Sequence, residues 1–326
     1  MKRVQNWLHV AAVGGAACAL IIGGGFISSF TNNSPQEESA STWSFSIPDV
    51  PESVTFAGEK VKLDRYDLYE RYERELTATC YMHSTTLLTL KRANRYMPVI
   101  EPILKREGVP ADFVYLAAIE SHFNPRAYSS AKAAGIWQFM PKTAKEYGLE
   151  VNEYVDERYN IEKATVAACR YLKNAYQKYG NWVSTAASYN AGMGRISSEL
   201  TKQDEKNALD LLLTEETSRY VFRILAMKQV FAAPAEYGFV LKAQQLYQPI
   251  ATTTIEVDTP IVNLTDFAKR HGTTYMQLKE FNPWLRAREL PNKSGKVYKI
   301  EIPVKKDMYY REGRQYKSYR PEWTVK

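Results

Sequence analysis

The sequence predicts a mainly α-helical protein that ends in a small α+β module. Apolar residues recur at three-to-four spacing in several stretches before residue 235, the stripe that a helix buries on one side. After Gln248 the texture turns β-branched, with Thr252, Thr253, Thr254, Ile255 and Val257, and it later alternates through Val297-Tyr298-Lys299-Ile300-Glu301-Ile302. The chain has 326 residues, 45% of them hydrophobic, which exceeds one typical domain and suffices for a sizeable core.

At the N-terminus, Lys2 and Arg3 precede a nearly uncharged run from Trp7 to Phe30, broken only by His9 and a few serines. Residues 1–30 therefore read as an export segment rather than part of the fold. About 20 apolar residues suit an uncleaved membrane anchor with its basic end in the cytoplasm, and a cleaved signal peptide stays open beside it. Cys18 follows Gly15-Ala16-Ala17, but a lipid-attachment site would carry a large aliphatic residue at position 15. From Thr31 to about Ser46 the composition is Asn, Ser, Gln, Glu, Thr and Pro, too polar to bury anything. A flexible linker is expected over residues 31–60, and the main domain over 61–248.

Between roughly Asp64 and Met97, Tyr69, Tyr72, Leu76, Cys80, His83, Leu87 and Ala93 or Tyr96 mark one long amphipathic helix. A second helix starts at Pro110, buries Phe113, Leu116, Ala117 and Ile119, and stops at Asn124-Pro125. A third runs from Ile161 to Tyr179 and ends at Gly180. The section from 100 to 235 is expected to be helical throughout. A separate module occupies 249–304, and residues 305–326 form a basic, Tyr-rich tail without a clear structural signal.

Lys plus Arg number 43 against 36 Asp plus Glu, for a net +7, but the basic residues are dispersed and form no aromatic-interleaved stripe. Nucleic acid is not expected as a partner, and nothing in the sequence sets an oligomeric state. Cys80 and Cys169 are too few for a disulfide scaffold and read as two buried thiols, although a pairing is not excluded. His9, His83, His122 and His271 never take metal-ligand spacing, so no metal and no cofactor are implied.

Glu120 falls on the last turn of the second helix, where a carboxylate opposes the macrodipole. The apolar Leu116-Ala117-Ala118-Ile119 before it would desolvate the carboxyl, raise its pKa and make the protonated form available as a general acid. Alone, this is weak. It gains weight from an ordered set: Glu120-Ser121-His122-Phe123-Asn124-Pro125, Ser129, Gly135-Ile136-Trp137-Gln138-Phe139-Met140-Pro141, Ser188-Tyr189-Asn190-Ala191-Gly192, and Glu216-Thr217-Ser218-Arg219-Tyr220-Val221.

Together these motifs resemble the lytic murein transglycosylases related to goose-type lysozyme, most closely the membrane-bound D type, over about Pro110 to Phe231. The resemblance implies a lysozyme-like catalytic domain, peptidoglycan glycan strands as substrate, and Glu120 as the single acid and base, followed by the family's Ser121. It further implies that Ser129, Gln138 and Met140 line the saccharide cleft, that Tyr189 lies near the catalytic carboxyl, where it is a candidate for positioning it, that Asn190 contacts substrate, and that Glu216 and Tyr220 belong to a later cleft element. The implied reaction cleaves the β-1,4 bond between N-acetylmuramic acid and N-acetylglucosamine without water, leaving a 1,6-anhydro end, in a bacterial envelope on the periplasmic side. The membrane is a partner if the N-terminal segment is uncleaved.

Taken singly, the same residues have plainer readings. Ser129 could cap a turn, Trp137 and Phe139 could pack inward, Tyr189 and Asn190 could form an ordinary helix end before Gly192, and Glu216 could favour a helix start with Tyr220 in the core. Two rival functions stay open: a goose-type lysozyme-like muramidase that uses water, and a catalytically silent wall-binding protein. Residues Ile255 to Pro303 resemble a degenerate LysM domain, a βααβ unit that binds N-acetylglucosamine-containing glycans. The usual Pro-Gly-Asp-Thr-Leu turn is replaced by Thr259-Pro260-Ile261-Val262-Asn263-Leu264, so glycan binding and simple packing on the main domain are both open.

Overall fold

The computed structural model describes residues 47–310 and 313–325. The stretch read as an export segment, with His9 and Cys18, and the polar stretch to Ser46 lie outside the described residues. Within them, no helix is long and apolar enough to cross a membrane.

The end of the stretch read as linker is structured. Strands β1 (Ser53–Phe56) and β2 (Glu59–Lys62) pair antiparallel, with Val54 opposite Val61. Ala57 and Gly58 both take positive φ, the two-residue turn whose twist suits a hairpin. Val54, Phe56 and Val61 enter the core while Lys60 and Lys62 face out. Four-residue strands carry too little alternation to stand out from a polar leader.

Two helices replace the single one expected over 64–97. Helix α1 (Tyr66–Tyr81) ends at Met82, and α2 (His83–Arg106) continues past Pro98 and Pro102. Met82 leaves the helical region at ψ 54, and the apolar stripe runs on across the break, so periodicity does not reveal it. Helix α3 (Val114–Ser121) follows a 3-10 turn and is buried over most of its length. Residues 122–140 are not helical, which corrects the expectation of helix throughout 100–235: the segment is a folded loop with bridges Tyr128 to Ala134 and Ala134 to Phe139. Short α4 (Pro141–Glu146) comes next, then α5 (Ile161–Tyr179), with bounds as read from the sequence. Asn160 caps the start of α5 through the Lys163 amide, and Gly180 ends it in a left-handed conformation. Helices α6 (Trp182–Ala191), α7 (Met193–Lys202) and α8 (Glu215–Ala232) complete the body. One core joins hairpin, helices and residues up to Trp323. Cys80 and Cys169 are both buried free thiols.

The module is a βααβ unit: β3 (Thr252–Val257), α9 (Leu264–Arg270), α10 (Tyr275–Phe281) and β4 (Tyr298–Pro303), with Ile255 paired to Ile300. Its core also includes Ala134, Val155 and Tyr159 of the body. The seam is hydrogen-bonded, from the Asp156 amide to the Trp284 carbonyl and from the Arg286 amide to the Tyr154 carbonyl, both at 2.8 Å. Lys296 adds ion pairs to Glu150 at 2.7 Å and Glu157 at 3.1 Å.

The tail after 304 does carry structure. Trp323 is 1% exposed and donates its indole N–H to the Phe231 carbonyl at 2.9 Å. Buried Asn94 on α2 donates to the carbonyls of Tyr247 and Lys317 and accepts from the Tyr319 amide, so one side chain holds the chain both as it leaves for the module and as it returns.

Candidate active site

Helix α3 ends where its buried face runs out, and Glu120 sits on that last turn. His122 and Phe123 then take consecutive left-handed conformations at φ 52 and 51, turning the chain sharply into the 122–140 loop. Ser121 is buried, and its hydroxyl donates to the carbonyls of Ala117 at 3.1 Å and Ile136 at 2.8 Å. It ties the helix end to the loop and leaves Glu120 as the member of the pair with solvent access.

The loop is held from below. Buried Arg158 donates to the carbonyls of Lys132 at 2.7 Å and Phe139 at 3.0 Å and pairs with Asp156 at 2.7 Å. Gly135 is required: a Cβ there would lie 1.8 Å from the Arg158 carbonyl oxygen, and its φ is +78. The Trp137 indole donates to the Thr165 hydroxyl at 2.9 Å, so Trp137 and Phe139 are packing residues. Gln138, at φ 49, folds its amide back onto the Gly135 carbonyl at 2.8 Å. The Ser129 hydroxyl accepts from the Ala133 amide at 3.0 Å, closing the turn. Met140 presents 43% of its surface to solvent.

Helix α8 crosses the end of α3 and brings Tyr220 to Glu120, 100 residues away in sequence. The phenol donates to Oε1 at 2.5 Å, and the Glu120 side chain makes no other hydrogen bond among the described residues. Desolvation pushes the Glu120 carboxyl up to about 7, with Glu216 adding to the rise, while the Tyr220 hydroxyl and the Arg223 charge oppose it. The phenol hydrogen-bonded to the carboxyl is that of Tyr220 rather than Tyr189, the residue read from the sequence as a candidate for positioning it. The Tyr189 hydroxyl donates instead to the Trp137 carbonyl at 2.8 Å, which orients the loop, and its ring packs on Phe139 and Tyr171. Tyr189 is still close enough for the Glu120 charge to push its phenol well above the ordinary value, after desolvation.

Asn190 accepts from the Thr217 hydroxyl at 2.9 Å, joining α6 to α8. Glu216 is exposed one turn before Tyr220. Desolvation, then Arg92 and Arg223, hold His122 below the usual imidazole range. Glu120, Tyr220, Tyr189 and Glu216 thus converge, while Ser121, Ser129 and Asn190 have their hydrogen bonds directed into the protein. Sequence reading missed the cluster that flanks α8, Glu75 with Arg74, Arg219 and Arg223. The signal available for it was the four-residue spacing of Arg219 and Arg223.

Residues 97–211 match the family described as the transglycosylase SLT domain, and residues 253–306 match the soluble lytic transglycosylase C-terminal LysM-like domain. The first match contains Glu120 through Asn190 and stops before Glu216 and Tyr220. The membrane-bound lytic murein transglycosylase D of Escherichia coli K12 is 30% identical over 258 residues, covering 77% of this chain and 55% of that protein. The membrane-bound lytic murein transglycosylase C of Glaesserella parasuis is 27% identical over 191 residues, covering 52% of each. The chain thus spans about half the length of these relatives. Among solved structures, the 70 kDa soluble lytic transglycosylase of Escherichia coli overlaps 49% of this chain and 28% of its own at 23% identity, with a TM-score of 0.38.

Proposed function

Because the chain carries a transglycosylase SLT domain followed by a LysM-like domain of the lytic-transglycosylase C-terminal type, we propose that it is a peptidoglycan lytic transglycosylase in which Glu120 is the single acid and base. The observation that carries this reading is the state of Glu120: its carboxyl sits near pH 7, anchored through one oxygen by Tyr220 and open at the other. An acid of that strength is protonated in part at neutral pH and ready to donate.

In the proposed cycle, Glu120 gives its proton to the glycosidic oxygen between N-acetylmuramic acid and N-acetylglucosamine as positive charge develops at the muramoyl C1. The bond to the leaving sugar breaks with its electron pair on that oxygen. Glu120, now a carboxylate, takes the proton of the muramoyl C6 hydroxyl, whose oxygen bonds to C1. Atoms balance without water, and Glu120 ends protonated. Two-carboxylate glycosidases need a second acid to activate water or to act as nucleophile. Here the nearby Glu216 is exposed, and it has no place in the cycle. An internal hydroxyl held near C1 replaces it, a proximity effect that lowers barriers by about 7–11 kcal/mol in favourable systems. Gln138 and Met140, on the loop fixed by Arg158, are placed in this reading at the saccharide cleft.

The substrate assigns the protein to the bacterial envelope, and Lys2, Arg3 and the apolar run to Phe30 support export to the periplasmic side. The module is proposed to grip glycan from its docked position. Digestion of purified sacculi followed by mass spectrometry tests the chemistry. The expected product end is one water lighter than a reducing end; a reducing end would replace this reading with hydrolysis, and no product with either class excluded would leave a wall-binding protein.

A further inference from the structure

The groups around Glu120 divide between the one that touches it and two charges, Glu216 and Arg223, that act on it without contact. Tyr220 touches it. Arg223 lies one turn further along α8 and acts on both Glu120 and His122 through its charge. Its guanidinium is partly exposed, and its ion-pair partner among the described residues is Glu75, at 3.5 Å from Nε to Oε2.

Glu75 is unusual in its setting. It faces inward from α1, is 2% exposed, and is surrounded by three guanidinium groups. Arg219 donates to it at 2.6 and 3.3 Å, Arg74 at 3.1 Å, and Arg223 completes the set. A buried carboxylate is retained against its desolvation cost only where partners hold it, and here the partners are shared between α1 and α8, two helices packed along their length. Of the three arginines, Arg74 also pairs with Glu215 at the exposed start of α8. Arg223 is the one whose charge reaches Glu120, and it lies one helical turn from Tyr220 on the same helix.

We propose that Glu75 is a positioning residue for the reaction, acting through Arg223: it fixes that guanidinium one helical turn along α8 from the Tyr220 that holds Glu120. The inference rests on Glu120 being the acid. A positive charge at this place keeps the carboxyl from being driven too far up by its surroundings and stabilises the carboxylate once the proton has been given away. The charged and titratable groups that face Glu120 are Tyr220, Glu216 and Arg223 from α8 and Tyr189 from α6. From α2, Arg92 donates to the His122 carbonyl at 3.3 Å.

The test is the pH dependence of initial rates on purified sacculi, read as the midpoint of the alkaline limb. Arg223→Gln should move that midpoint up by roughly half a unit, and Glu75→Gln should do the same, with no further movement in the double variant. Arg219→Gln removes another partner of Glu75, one whose charge is not among those acting on Glu120, and should leave the midpoint in place. Glu75→Asp, which keeps the charge but withdraws the anchor, covers the case in which Glu75→Gln does not fold. Repeating Arg223→Gln in a His122→Asn background, asparagine being tolerant of the left-handed φ, separates Glu120 from the imidazole. An unmoved midpoint in Arg223→Gln, an equal shift in Arg219→Gln, or a Glu75 effect that persists without Arg223 would overturn the proposal. If Glu120→Gln is inactive while these midpoints stay fixed, only this inference fails; an active Glu120→Gln removes the reading beneath it.

Discussion

Glu120 and Glu157 are both carboxyls surrounded by protein, and desolvation is the largest influence on each, yet they end on opposite sides of the ordinary value. Glu120 is pushed up to about 7. Glu157, at the seam between body and module, is held below the usual carboxylate range because Lys163, the Glu150 amide and Lys296 together outweigh its desolvation. The Lys163 ammonium donates to it at 2.5 Å and the Glu150 amide at 2.8 Å. Burial sets the cost of a charge and the partners decide whether it is met. At the seam two cations and an amide meet it, and the carboxylate becomes a fastening. At the site one phenol and the Arg223 charge fall short, and the carboxyl is pushed up.

If that contrast is right, the two residues should fail differently. Glu120→Gln should lower release of soluble muropeptides from sacculi by on the order of 10²–10⁴-fold, with an unchanged far-ultraviolet circular dichroism spectrum. Glu157→Gln should act on stability instead, lowering it by about 2 kcal/mol in urea unfolding while turnover per folded molecule is kept. Loss of turnover in that variant at full folding would break the division of roles. Tyr220→Phe should cut turnover by roughly ten-fold and shift the alkaline limb upward, since the lost hydroxyl stabilised the ionised form.

The smallest effect is in the pH dependence of stability, and it has opposite signs at the two places. Glu120 has a folded pKa above its unfolded one, so ionising it costs the native state as pH rises from 4.5 to about 7. Relative to wild type, Glu120→Gln should therefore gain stability across that window, by on the order of 1–2 kcal/mol. Glu157 has a lowered folded pKa. Its contribution is present above the unfolded value and lost as pH falls through the folded one. The wild-type advantage over Glu157→Gln should shrink toward acid. Parallel melting curves at matched pH would expose any variant whose slope has the wrong sign.

Much of this was legible beforehand where a local signal carried it. Helix α5 was bounded by its apolar stripe and by Gly180, and the module by its β-branched run and alternating last strand. The desolvated end of α3 followed from Leu116 to Ile119. What escaped depended on distance in sequence or on a signal too short to see. Met82 breaks a helix without breaking its stripe. The hairpin at 53–62 has strands too brief to show a period. Tyr220 reaches Glu120 only because α8 crosses α3, and nothing in the motif containing Tyr189 says that its own hydroxyl turns to Trp137. Nothing in the sequence marks Glu75, whose burial comes from the packing of α8 on α1.

Asn94 gathers the outgoing chain at Tyr247 and the returning chain at Lys317 and Tyr319 against α2. The module is therefore a closed excursion whose two ends meet at one clasp, the arrangement of an inserted domain rather than an appended one. Such a loop can be lengthened, trimmed or exchanged without changing the gap its ends must span. The strap that carries Trp323 into the core then belongs to the body from which the excursion departs.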